Sequence, residues 1–264
     1  MLNKLLKYDL KYMIRNMSVF YVLAIFFAIT TKILFVIDQS FMVSVLAKIS
    51  LGFLISMIAN ILINTMMRSW IRFRDSLYKD ESYLTHTLPV KKSELYESKF
   101  IQTLIFSIVG FAVILLCLFI AFYSKENWTA LTNYLNTVSS NLNMSTLFFV
   151  IILLLIIFLE IFNAIQCGFL GIILGHRRNN GKIGYSVAIG FILYLVSQTL
   201  VLALIYVYGL FDSSVMELFN TTPTSLNVDA FKLMGILSSI LYIAIIFIMN
   251  LICTKELSKG VNIE

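Results

Sequence analysis

One acid in this chain stands where an acid is expensive: Glu160, inside the run LLLIIFLEIFNAIQCGFLG. A charged side chain at the centre of a membrane-spanning helix costs about 2.5–3.5 kcal/mol, so it faces a bundle interior or a polar path. Asn163 and Gln166 follow on the same run, and Ser197, Gln198 and Thr199 come at similar depth in the next. Two chemistries suit Glu160. It is either a polar point in a substrate path or conformational latch, or a protonated carboxylic acid hydrogen-bonded between helices. Nothing else supports catalysis. His86 and His176 have no carboxylate or cysteine arranged about them, and Cys117, Cys167 and Cys253 fall inside apolar runs without metal-ligand spacing. The stretch GHRRNNGKI, residues 175–183, comes nearest to the phosphate-binding pattern G-x-x-x-x-G-K-[ST]. Its second glycine is one residue late, isoleucine replaces the hydroxyl, and both flanks are apolar. No enzymatic activity, metal or cofactor is expected in this chain.

The elements that must position these residues are membrane helices. Hydrophobic residues make up 59% of the sequence and charged residues 13%, about half the charged share of a soluble domain. An all-α polytopic membrane protein is therefore expected. Crossing about 30 Å of hydrocarbon needs about 20 apolar residues. Six runs are long enough: 17–37, 41–67, 99–123, 145–175, 184–211 and 231–253. The first lacks a small-residue cleavage site and is too long for a removable signal peptide.

Basic residues orient the spans. Sixteen of the twenty Lys and Arg flank one side, in the segments around Lys4–Arg15, Arg68–Lys99, Arg177–Lys182 and Lys255–Lys259. Only Lys32, Lys48, Lys125 and Lys232 fall on the other. By the positive-inside rule both termini face the cytoplasm. The net charge of +6 is spread between apolar runs, so no nucleic-acid partner is expected.

Residues 1–16 carry Leu2, Leu5, Leu6, Leu10, Met13 and Ile14 at helical spacing, with Lys4, Lys7, Lys11 and Arg15 opposite. Such a helix suits the inner-leaflet interface, ahead of a single six-helix domain over 17–264. Outside, Trp128, Leu131, Leu135, Val138 and Leu142 mark one face of a short helix, and VMELF in the loop 212–230 suggests a short re-entrant or interfacial one.

The cytoplasmic loop 68–98 is the most polar stretch. Asp80 is a candidate N-cap, with Glu81 in the first turn. Pro89 forces Leu88 out of helical geometry, and Ser93 can cap a new helix with Glu94 in its first turn. A short helix is expected between them, exposing Tyr83, Leu84, His86 and Leu88. A mere connector needs no such anchors; a docking element does.

The pattern D-E-x-Y-L-T-H-T-L-P-V, followed by Lys91 and Lys92 and a helix into the third span, resembles the first cytoplasmic loop of ABC-2 family permease subunits. The likeness extends to the amphipathic N-terminal helix, the six spans and the length. It implies a coupling helix that seats on a separate ABC ATPase through Tyr83, Leu84, Thr85, His86, Thr87 and Leu88. It also implies ATP and magnesium on that partner, a second identical or homologous permease subunit, and a bacterial plasma-membrane location. The substrates implied are antimicrobial peptides, lipids or hydrophobic drugs. A non-transporting membrane scaffold or immunity protein, and an ion-coupled carrier using Glu160, stand as alternatives.

Two lines of small or polar residues complete the reading. Ala164, Gly168, Gly171 and Gly175 permit close helix contact. Lys48, Gly52, Ser56, Asn60 and Asn64 wrap slowly around the second span and face a partner, a path or another helix. A cysteine placed at Ser140 is expected to react with an impermeant thiol reagent outside intact cells, and one at Ser93 is not. Labelling at Ser93 would reverse the orientation.

Overall fold

The computed structural model describes residues 2–37, 40–79, 81–141, 144–211 and 228–260, and every regular element among these described residues is a helix. Eight helices are described: α1 (Leu2–Ile37), α2 (Phe41–Tyr78), α3 (Glu81–Thr87), α4 (Lys92–Phe122), α5 (Lys125–Asn141), α6 (Thr146–Gly175), α7 (Lys182–Phe211) and α8 (Val228–Ser258). All but α3 and α5 are long and apolar enough to cross a membrane, which makes six candidate spans among the described residues. Asp80, Leu142 and the VMELF segment lie outside the described residues.

Three expectations need correction. Residues 1–16 do not form a separate interfacial helix, because α1 runs unbroken for 36 residues. At 1.5 Å per residue that is about 54 Å, well beyond the hydrocarbon thickness. No glycine or proline interrupts it, and its first turns are held by packing: Met13 and Met17 are buried with Phe106 of α4. Likewise 68–98 is mostly not loop. Loss of hydrophobicity ends a span without ending a helix, so α2 continues through Arg68, Arg72 and Arg74 to Tyr78. The cap of α4 also differs, since its N-cap is Lys91, with no side-chain hydrogen bond, and Ser93 lies inside the first turn.

The chain divides into two compact units, one reaching Trp128 and the other beginning at Thr129. In the first, α1, α2 and α4 close on Ala24, Ala28, Leu54, Ile61, Ile114, Cys117 and Ala121. The alanines bring the backbones near, and Thr31 Oγ1 bonds Ser50 Oγ at 2.8 Å. Apolar side chains such as Val22, Phe26 and Ile33 on α1 are left exposed, a surface suited to lipid hydrocarbon.

In the second unit α6 packs on both α7 and α8. The approach of α6 and α7 requires glycine. A Cβ on Gly171 would lie 2.6 Å from the Ser186 carbonyl oxygen and 2.7 Å from Gly190 Cα, and one on Gly175 would lie 2.5 Å from the Ser186 backbone nitrogen. Gly168 Cα lies 3.5 Å from where a Gly190 Cβ would stand, while Ala164 is half-buried. The close face on α7 is thus Ser186 and Gly190. Because backbone cannot yield as a flexible side chain does, Gly171→Ala is expected to cost about 1–3 kcal/mol and to lower the unfolding temperature in detergent. Gly52→Ala, where no atom of the described residues lies within 4 Å, should not lower it.

Candidate functional site

Helix α3 is seven residues long, too short to be stable alone in water. Side chains hold it to α2. Arg72 Nη1 donates to Glu81 Oε2 at 2.6 Å, and His86 Nε2 donates to the Leu77 carbonyl at 3.1 Å. Ser82 is fully buried, and its N–H donates to the Lys79 carbonyl at 2.7 Å. The helix stops at Thr87, before the Leu88–Pro89 pair. Anchored on one side, α3 presents the other: Tyr83 is 62% exposed, Leu84 75% and Leu88 45%. Thr85 and Thr87 return their hydroxyls to the Glu81 and Leu84 carbonyls, so their polar atoms are spent within the helix. His86, expected on the exposed side, is half-buried and faces α2.

Behind α3 lies a charge cluster the sequence reading missed. Asp9 of α1 is 2% exposed. Its carboxylate takes Arg72 Nε at 3.0 Å, Ser98 Oγ at 2.7 Å, and Lys99 Nζ. The Arg72 guanidinium also sits 4.9 Å from the centre of the Tyr12 ring. Two acids, Asp9 and Glu81, balance two bases, Arg72 and Lys99. The signal was present: Asp9 falls one turn from Leu5, Leu6 and Met13, the only acid on an otherwise apolar face of α1. A charge there demands buried partners.

The polar residues within the spans pair off. Glu160, half-buried on α6, accepts from Tyr194 Oη of α7 at 3.4 Å, a partner not anticipated. Asn163 Nδ2 donates to Ser197 Oγ at 2.8 Å, and Gln198 Oε1 accepts from Tyr242 Oη of α8 at 3.1 Å. Thr199 is exposed and bonds the Leu195 carbonyl of its own helix. These bonds join α6, α7 and α8 without leaving Glu160 to solvent chemistry alone. On α2, Ser56, Asn60 and Asn64 each donate to the carbonyl four residues earlier, at 2.9 Å. The line from Gly52 to Asn64 thereby satisfies its donors internally, and Asn60 and Asn64 are half-buried.

Six long apolar helices and an all-helical fold define a multi-pass membrane protein. No family model, curated protein or solved structure matches the chain.

Glutamine at position 160 keeps the shape and an oxygen to accept from Tyr194. Glu160→Gln is therefore expected to reach normal membrane levels and to run as a single species on gel filtration. Aggregation of that variant would show that the carboxyl group itself holds the α6–α7 contact.

Proposed function

We propose that this chain is the permease subunit of an ATP-driven ABC exporter, with α3 as the helix that docks a separate ATPase. One observation carries the reading. A seven-residue helix, braced from behind by Arg72 and His86, leaves Tyr83, Leu84 and Leu88 uncovered. It falls within the stretch whose sequence resembles the ABC-2 permease loop. Two large apolar side chains exposed on so short a helix, and a third directly after it, suit burial in a partner's groove. The distribution of basic residues supports the matching topology, with both termini and α3 in the cytoplasm of a bacterial cell.

In this reading two permease subunits enclose the pathway for an amphipathic peptide, lipid or hydrophobic drug. ATP and magnesium bind the partner ATPases, whose closure displaces α3 and with it the ends of α2 and α4. This chain supplies the docking surface and the spans.

A few central side chains carry most of the energy of such an interface. Truncating Leu84 or Leu88 to Ala removes apolar contact worth about 1–3 kcal/mol if fully buried, or about tenfold or more in affinity. The spans do not depend on α3, so the Leu84→Ala, Leu88→Ala double variant should insert and accumulate normally. It should retain less of an ABC ATPase partner in a pull-down at matched membrane levels. Replacing Lys91 or Lys92, at the rim, should change retention much less. Undiminished retention by the double leucine variant would reduce the proposal to a membrane scaffold.

A further inference from the structure

Arg72, on α2, reaches two further helices through one planar group. Its Nε holds Asp9 of α1 at 3.0 Å, its Nη1 holds Glu81 of α3 at 2.6 Å, and its own backbone belongs to α2. The two arms differ in kind. Asp9 has 3% side-chain exposure and keeps Ser98 and Lys99 of α4 as further partners, whereas the Glu81 side chain is 55% exposed. The inner arm is thus embedded in the bundle, and the outer arm is a surface ion pair of small worth. The α3 helix reaches α2 directly, through the chain at Lys79 and through His86 on the Leu77 carbonyl. A path to α1 runs through the guanidinium, which Asp9 and the Tyr12 ring hold in place.

We propose that Arg72 is a positioning residue that links α3 to the packed beginnings of α1 and α4, so that the setting of α3 and the setting of Asp9 depend on one another. A fixed guanidinium loses little freedom on pairing with Glu81, because Asp9 and Tyr12 have already ordered it. Loosening either α1 contact therefore loosens α3, although neither Asp9 nor Tyr12 is part of it. That a docked partner drives this link rests on the reading of α3 as a docking helix; the link itself is a property of this chain alone.

The test is amide hydrogen exchange over residues 82–87, followed by mass spectrometry on the whole protein in lipid nanodiscs. Glu81→Gln removes the outer arm and leaves the buried cluster whole. It should speed exchange in α3 about two- to fivefold, the range an exposed ion pair supports. Asp9→Asn should also speed it, and that increment should vanish in the Glu81→Gln background, since the route is already cut. Asp9→Asn leaves two buried bases with one fewer acid, so Tyr12→Leu serves as a second, charge-neutral way to free Arg72, with the same expected non-additivity. If neither α1 variant alters α3 exchange, or if their effects persist at full size beside Glu81→Gln, the link through Arg72 is refuted. Because no ATPase is present, this result is independent of the pull-down: undiminished ATPase retention by the double leucine variant, with the non-additivity observed here, would reject the docking reading and keep the link.

Discussion

The first unit is organised around one buried carboxylate. Asp9 enters the bundle on the apolar face of α1, and an unpaired charge there would be prohibitive. Its oxygens are met by a hydroxyl and an ammonium from α4 and by a guanidinium from α2. No two of those three helices can slide past each other without uncovering a charge. Such a cluster adds little net stability over an apolar substitute, but breaking one partner costs about 3–5 kcal/mol. Its physical effect is to fix register. That explains why α1 continues unbroken past its apolar run: its first turns have buried partners of their own.

The second unit meets the same need for uniqueness by shape. Lipid tails are as apolar as leucine, so helices in a bilayer associate through close packing and hydrogen bonds. The glycines of α6 let the backbone of α7 approach at Ser186 and Gly190. Three hydrogen-bonded side-chain pairs, Glu160 with Tyr194, Asn163 with Ser197 and Gln198 with Tyr242, then set the rotation of the helices. At the end of α6, Arg177 pairs with Glu256 of α8, and buried His176 donates to or accepts from Ser186 near Lys182.

What could be read in advance divides along physical lines. Spans are legible because hydropathy acts over twenty residues at once, and Pro89 is legible because its restriction on Leu88 is local. The continuation of α2 to Tyr78 was not, because polar residues such as Arg68 and Asp75 end a span while remaining good helix residues. The glycines of α6 announced a close contact, but Ser186 and Gly190 became its other face only through tertiary pairing. Glu160 was visible as an anomaly and Tyr194 was not, since a tyrosine in an apolar run is unremarkable until an acid faces it. Asp9 was legible in principle. It was overlooked because the four bases around it dominate the charge of residues 1–16.

The contrast between Asp9 and Glu81 matters for what α3 can do. A seven-residue helix does not persist by its own hydrogen bonds, so its shape depends on the surface behind it. That surface is built from one exchangeable ion pair, one histidine bond to a carbonyl and one buried serine. All three are local to the ends of α2 and α3, and none involves the large exposed side chains. Tyr83, Leu84 and Leu88 therefore carry no part of the folding burden and are available to be buried elsewhere. A rigid helix would present them in one fixed orientation, and an untethered one would pay the full entropy of ordering on contact. A helix held by a soft outer arm on a hard inner cluster is already ordered, and yet can shift without unfolding the bundle that supports it.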